Sequence, residues 1–529
     1  MFVFLVGGIV FTFAFIDEPQ MLFGKPHSEI DIPTEGFSIE GKVDNLDKYI
    51  YSLHPDREIV YSLDGGDHYI HSGTQKLYAE HLQNADLMRY PTSIRWRGPC
   101  RNFPEALSLS VRLKKEGEYS SQKVYNYYDT EQCTKNVAFI NIPESDLFDW
   151  NKGLMIYGKA SEQDEGFNKM WWYRSANFVQ RGIDWERRAN FQYFEDGKLE
   201  LDQDVGFRIS GNASRYFPQK SFRLYARGMY DKKKFKYRFW GDYESKKHES
   251  LLFRNSGNDN EKTMFADAFI HDISRELNVA VQAAVPVTVF INGNYWGIYN
   301  LRQRVEAYTI AKKEDVKTSE VTILYCEVDG NEAKLKDGSE EVQEQYQNMI
   351  DELRNKEIDA KTYKSLAEVI NVGSFIDYII LETFFGNDDW SHNNTVWYKA
   401  GDKKWKWMIN DMDVSMAYPG EHHLQINLFH RMKRISSLTA VLFNALSTNN
   451  EFLERFKTRA KEVLEHELSE QRLLSVFEKH KQRYQNDIHY QINRWRMIAS
   501  IKEWEANCQK NTDFLVKRRS IYLKQIEEL

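Results

Sequence analysis

The chain has 529 residues, 42% of them hydrophobic and 14% aromatic, with 71 basic and 78 acidic side chains for a net charge of −7. That length exceeds one ordinary hydrophobic core and implies two or three domains, and the apolar and aromatic content excludes a disordered chain. The acidic balance gives no electrostatic case for nucleic acid as the main partner, and four widely spaced cysteines (Cys100, Cys133, Cys326, Cys508) with no CxxC pair give none for a structural zinc.

Residues 1–16 open with the apolar run MFVFLVGGIVFTFAF, followed by IDEPQ. The run is short for a membrane span and lacks both a basic leader and a small-residue cleavage site. It reads as a signal peptide or membrane anchor at the N-terminus, the alternative being a first core strand. Residues 30–160 read as β, with short apolar or alternating runs at 58–63, 93–96, 107–113, 137–142 and 154–157, and hairpin chemistry at Asp64-Gly65-Gly66. This spacing predicts a β-sandwich-like domain. Cys100 and Cys133 fall within it, either as a disulfide in an exported chain or as two buried thiols.

A further domain opens near Trp171. Its first distinctive stretch is GFRISGNASRYFPQKSFRLYAR, residues 206–227, in which two strands flank a loop of Gly, Asn, Ser and Arg and Lys220 begins the second strand. Small loop residues let backbone N–H groups approach a phosphate, and a lysine beyond them adds a point charge. The competing reading is a plain hairpin with a surface lysine, since neither the Walker pattern nor GxGxxG is present. Residues 264–277 have helical periodicity. Runs at 285–291 and 295–301, joined by Asn292-Gly293-Asn294, predict a hairpin. A charged stretch at 312–357 reads as a solvated, partly helical insertion. The mostly apolar 371–385 reads as a core helix.

Residues 386–413, GNDDWSHNNTVWYKAGDKKWKWMINDMD, carry the densest chemistry. Asp388, Asp389, Asp411 and Asp413 lie near the two ends, with Asn393 and Asn394 beside the first pair. Between them a hairpin is predicted from Trp397-Tyr398 and from 405–409. Acids at the open ends of one hairpin come close in space, which suits a divalent cation and a polyanionic ligand; plain Asn/Asp turns are the other reading. His392, His422 and His423 read as loop residues rather than ligands, and Trp390, Trp405 and Trp407 as packing. Residues 437–529 read as amphipathic helices.

The order strand, glycine-containing loop, lysine strand, helix, hairpin resembles the N-terminal lobe of a protein kinase, and Asp389 and Asn394 have the five-residue spacing of a kinase catalytic loop. The segments GFRISGNASRYFPQKSFRLYAR, VTVFINGNYWGIYNLRQRV, GNDDWSHNN and KWKWMINDMDVSM together resemble the spore coat protein H (CotH) kinase family in its exported bacterial form. That resemblance implies an α+β fold: a divergent, kinase-like, two-lobe domain over 171–529, with an N-lobe at 171–310, the insertion at 312–357 and a mostly helical C-lobe at 360–529, after the N-terminal β-sandwich-like domain. It also implies transfer of the ATP γ-phosphate to protein side chains with Mg2+ or Mn2+, on coat or surface proteins, in an exported, cell-surface or spore-coat setting. By position, Asp389 matches the catalytic aspartate. Lys220, Ser214, Arg215 and Gln303 match nucleotide-binding positions, and Asn394 and Asp411 match metal-binding positions, with Asp413 a second metal candidate. Gln303 stands where the family often has Glu. Asp267 is a candidate for the helix acid that pairs with the lysine. The alternative is a catalytically inactive scaffold that keeps the shape for binding.

Overall fold

The computed structural model describes residues 86–529, apart from 101, 105, 116–117, 120–122, 129, 164–173, 242–245 and 328, together with the strands that precede residue 86. Of the apolar 1–16 stretch, the described part is the paired strands Phe2–Val6 and Ile9–Phe13; its expected leader role rests on residues whose side chains lie outside the description. The chain divides into two compact units. One comprises Met1–Asn255, Val285–Arg302 and Arg483–Ile501, and the other Ser256–Ala284, Gln303–Gln482 and Lys502–Leu529.

The first unit contains a closed barrel of seven strands: β1 (Asn136–Asn141), β2 (Arg187–Glu195), β3 (Lys198–Ile209), β4 (Phe222–Tyr225), β5 (Ser250–Arg254), β6 (Ala284–Ile291) and β7 (Asn294–Arg302), in the order β1-β2-β3-β4-β5-β7-β6. The ladder closes where β6 runs parallel to β1, with Val137 opposite Thr288 and Ile140 opposite Ile291. Closure removes the unpaired edges that an open sheet must protect. The barrel changes the expected domain division. Residues 136–141, placed by sequence in a separate β-sandwich, are a barrel strand. What precedes them is a five-stranded antiparallel sheet (Glu58–Leu63, His68–Ser72, Ala106–Lys115, Glu118–Tyr119, Lys123–Tyr128) and a three-stranded one (Phe37–Gly41, Lys48–Ser52, Gln75–Leu77). The reason is non-local: β1 is bracketed on one side by β2 and on the other by β6, about 150 residues later in the chain.

Alternate positions along the barrel strands carry phenylalanine. Phe139, Phe191, Phe207, Phe222, Phe253 and Phe290 are fully buried, with Phe222–Phe253 stacked at 4.7 Å, Phe207–Phe222 at 4.8 Å and Phe139–Phe290 at 4.8 Å. Each such pair adds about 0.5–1.5 kcal/mol beyond area burial. The β6–β7 hairpin turns through Asn292 and Gly293, both at positive φ (46° and 71°), the geometry that Asn-Gly favours. The helix Ile488–Trp495 packs on β7: Gln491 Oε1 accepts from the Ile298 N–H at 2.8 Å, and Trp495 Nε1 donates to the Trp296 carbonyl at 2.9 Å. All four cysteines are free thiols, so Cys100 and Cys133 are not bridged.

In the second unit, α1 (Ala266–Ile273) precedes a four-stranded sheet in the order β9-β8-β10-β11: β8 (Val321–Tyr325), β9 (Lys334–Asp337), β10 (Val396–Ala400) and β11 (Lys406–Met408). The predicted hairpin is β10–β11, with Val396 opposite Met408 and Trp397 opposite Trp407. The 312–357 stretch is not simply a solvated insertion. Its VTILY segment forms β8, four of whose five residues are buried, paired to β10 along its full length. A five-residue apolar run between charged flanks is enough for a central strand.

Between β9 and β10 lies α2 (Val372–Phe385), apolar around its whole circumference and buried except at Gly373, as expected of a core helix. Asn371 caps its start by accepting the Ser374 N–H at 2.9 Å. Gly386 ends it at φ +65°, where an added Cβ would lie 2.8 Å from Ile426 Cγ2. The last-turn carbonyls that a helix leaves unpaired are taken by α3 (Ile501–Glu527). The buried Arg518 of α3 donates to Thr383 O at 2.8 Å, Phe384 O at 3.0 Å and Leu424 O at 2.9 Å. This fixed helix end and the β10–β11 hairpin deliver the two halves of the acid stretch.

Candidate functional site

The loop after Gly386 sorts its two adjacent aspartates by partner. Asp388 forms an ion pair with Arg431 through its carboxylate, and its carbonyl accepts from Arg431 Nη1 at 2.7 Å. That side chain is spent on holding the loop. Asp389 Oδ2 instead accepts from the amides of Asn393 at 3.1 Å and Asn394 at 2.8 Å, and His392 Nε2 stands 3.6 Å from its other oxygen. No arginine or lysine pairs with Asp389 in these contacts. Its carboxyl is pushed above the usual aspartate range, chiefly by burial and then by the Asp411 charge, against the lowering effect of the two amides and His392. The Asp411 charge thus reaches the Asp389 carboxylate. Asn394 turns its Nδ2 to Asp389. Its backbone is left-handed (φ +59°), as is that of Asp411 (φ +55°).

Asp411 and Asp413 differ in the same way as Asp388 and Asp389. Asp413 is buried and accepts the Asn258 backbone N–H at 2.8 Å on one oxygen and the Asn258 side-chain amide at 3.2 Å on the other. It anchors the turn Gly257–Glu261. Asp411 heads the segment after β11: its carbonyl accepts from Asn387, a residue absent from the sequence-based site, and the N–H of the following Met412 donates to Asp267. Glu382, one turn before the end of α2, is also new. It is fully buried, accepts from Asn387 Nδ2 at 3.0 Å on Oε2, and its Oε1 has no partner. Burial pushes its carboxyl up to about 8, with Asp267 and Asp411 raising it further. Glu382 is thus neutral near pH 7 and adds no negative charge beside Asp411. An acid in the otherwise apolar last turns of NVGSFIDYIILETFF was the available signal. The other acid of that helix, Asp377, is paired with Arg459 at 2.9 Å.

Among the described residues no group of three or more His, Cys, Asp or Glu side chains is gathered as a metal cage. The donor set that is present is one amide oxygen (Asn394) and carboxylates at Asp389 and Asp411. This fits Mg2+ or Mn2+, which take one or two carboxylates and complete their shell from water and phosphate. His423 is buried, with its Nε2 against Gly386 O at 2.5 Å. Trp390, Trp405 and Trp407 are buried packing residues.

The basic loop, in the first unit, is organised differently. Gly211 (φ +104°) turns the chain where a Cβ would meet Ser214 Oγ at 2.3 Å, and Ala213–Tyr216 forms a short 3-10 turn. The Arg215 guanidinium is buried and donates to Gly211 O at 2.7 Å, Phe178 O at 2.8 Å, Gln180 O at 3.0 Å and Ile209 O at 3.1 Å. Lys220 is fully buried. Its Nζ donates to Arg215 O at 2.6 Å and Phe217 O at 3.3 Å and lies 3.7 Å above the Phe178 ring. Burial, and then the Arg215 charge, holds its pKa well below the ordinary lysine value. Both cations are thus satisfied by main-chain oxygen, while Ser214 remains partly exposed. Gln303, in the second unit, is buried, with its N–H donating to Ala283 O at 2.9 Å.

A closed barrel in one unit and, in the other, an acid-bearing loop between a buried helix and a small sheet make this a mixed α+β protein. The chain belongs to the CotH kinase protein family, whose model matches residues 207–522, more than half of the sequence. The match begins inside β3, so β1 and β2 lie ahead of it, and it spans every residue of the basic loop and the acid stretch. No curated protein matches the chain.

Proposed function

We propose that this chain is an ATP-dependent atypical protein kinase with a two-lobe, kinase-like arrangement, which transfers the γ-phosphate to serine or threonine hydroxyls of coat or surface proteins outside the cytoplasm. The observation that carries this reading is the state of Asp389: a carboxylate oriented by two neighbouring amides, with His392 beside it, and raised by burial and by Asp411. A group so held is suited to accept the proton of a protein hydroxyl as its oxygen attacks phosphorus. Asn394 and Asp411 would hold the cation. Asp413, with both oxygens on Asn258, positions the segment instead. When bound, Mg2+ or Mn2+ neutralises phosphate charge and fixes the phosphate oxygens. Ser214 and the small residues around it would face phosphate. Lys220 would contribute by exchanging its two loop carbonyls for phosphate oxygens.

That exchange is also what favours a second reading, a non-catalytic scaffold at the cell or spore surface, since Lys220 and Arg215 are already satisfied by their own loop. Purified protein incubated with γ-labelled ATP and Mg2+ or Mn2+ separates the two. The kinase reading expects label on the chain itself or on a Ser-rich acceptor. Asp389→Ala should cut the rate by about 10²–10⁴-fold with its thermal midpoint preserved. No nucleotide-dependent rise in thermal midpoint under any divalent cation would leave the scaffold reading in its place.

A further inference from the structure

The peptide group that links Asp411 to Met412 is gripped on both of its polar atoms. Its carbonyl, on Asp411, accepts from Asn387 Nδ2 at 3.3 Å, and its N–H, on Met412, donates to Asp267 Oδ1 at 2.8 Å. The two gripping residues come from different elements. Asn387 follows the glycine that ends α2, and Asp267 lies in the first turn of α1, 145 residues before Met412. Both are buried, as is Met412. The same Asn387 amide also donates to Glu382 Oε2 at 3.0 Å, and its main-chain N–H donates to Glu382 O at 3.1 Å, so its own rotamer is set by α2.

The grip matters because Asp411 sits in the left-handed region at φ +55°. A non-glycine residue pays for that conformation and keeps it only when its surroundings over-determine it. Fixing the plane of the 411–412 peptide fixes ψ of Asp411, and with it the direction in which the carboxylate leaves the backbone. An aspartate has only two side-chain torsions, so the backbone direction decides most of where its oxygens can lie.

With Asp411 taken as the cation ligand proposed above, we infer that Asn387 and Asp267 are positioning residues that hold the Asp411–Met412 peptide plane so that the Asp411 carboxylate meets a divalent cation. Neither touches the cation or the nucleotide. Asp267 therefore acts through the Met412 main chain.

The test uses the full chain and Mn2+, read by electron paramagnetic resonance with an ATP analogue that cannot be hydrolysed, alongside hydrogen exchange at the Met412 amide. Asn387→Ala and Asp267→Ala should each weaken Mn2+ binding at least tenfold and speed Met412 exchange, with the apparent affinity for the protein acceptor unchanged. Asp267→Asn keeps an oxygen at the Oδ1 position and should recover most of the Mn2+ affinity, which a purely bulk packing role for Asp267 would not require. If Asn387→Ala does not fold, the Asp267→Ala and Asp267→Asn pair decides alone. Unchanged Mn2+ affinity in folded Asn387→Ala or Asp267→Ala overturns the inference. Absence of Mn2+ binding in the unsubstituted chain overturns the cation reading of Asp411 itself, a different failure recognisable because it appears before any substitution is made.

Discussion

The basic loop at 210–221 and the acid stretch at 386–413 invite the same reading as strings of letters: charged residues among small ones, next to strands. They resolve in opposite ways. In the basic loop every charge is consumed at home, with Arg215 covering four carbonyls and Lys220 two. In the acid stretch the charges divide. Asp388 and Asp413 are tied to Arg431 and Asn258, whereas Asp389 is held by two neutral amides with His392 3.6 Å away and carries a raised affinity for protons. Buried charge that is satisfied by main-chain oxygen builds a loop, and charge that is oriented without being neutralised can do chemistry.

The largest effect that would break this contrast is on stability in the loop. Arg215→Ala strips four carbonyls, two of them in buried hydrogen bonds, of this donor and should cost roughly 2–4 kcal/mol in denaturant unfolding. Arg215→Lys should restore little of it, since one ammonium cannot reproduce the planar fork. A fully stable Arg215→Ala that has lost nucleotide affinity would show instead that the guanidinium serves phosphate.

A second effect depends on pH and centres on Glu382. Its folded value of about 8 lies above the ordinary 4.5, so between those values the folded chain holds a proton that the unfolded chain has released. The contribution is complete below about pH 4.5 and is lost as pH rises through 8, with a slope of at most about 1.4 kcal/mol per pH unit. Glu382→Gln should flatten the unfolding free energy over that window relative to the unsubstituted chain. Superimposable profiles would place the charge suppression near Asp411 elsewhere. The smallest effect is at Asp388, a partly exposed ion pair with Arg431. Asp388→Asn should cost under about 1 kcal/mol and leave phosphoryl transfer intact, in contrast to Asp389 one residue later.

Much of this was legible in the letters and some could not be. Asn292-Gly293 announced the β6–β7 turn, and the unbroken apolar face of 371–385 announced α2, because both signals are local. The hairpin between the acids was legible for the same reason, as β10–β11. The barrel was hidden because its closing pair joins 137–140 to 288–291, a partnership that no periodicity records. β8 was hidden by its charged neighbours. Asn387 carried no signal of its own, since its importance comes from reaching the Asp411 carbonyl across 24 positions. The sequence likewise could not say which aspartate of each pair is neutralised, because Arg431 and Asn258 lie far along the chain from Asp388 and Asp413.

The central claim is that the acid stretch binds a divalent cation through Asp411 beside an unneutralised Asp389. Titration of Mn2+ with a non-hydrolysable ATP analogue, followed by electron paramagnetic resonance in the unsubstituted chain and in Asp411→Asn, tests it directly. Saturable binding of one functional Mn2+–nucleotide unit that is lost in Asp411→Asn, with unchanged thermal unfolding, is the expected result. Equal binding in both chains, or none in either, would contradict it.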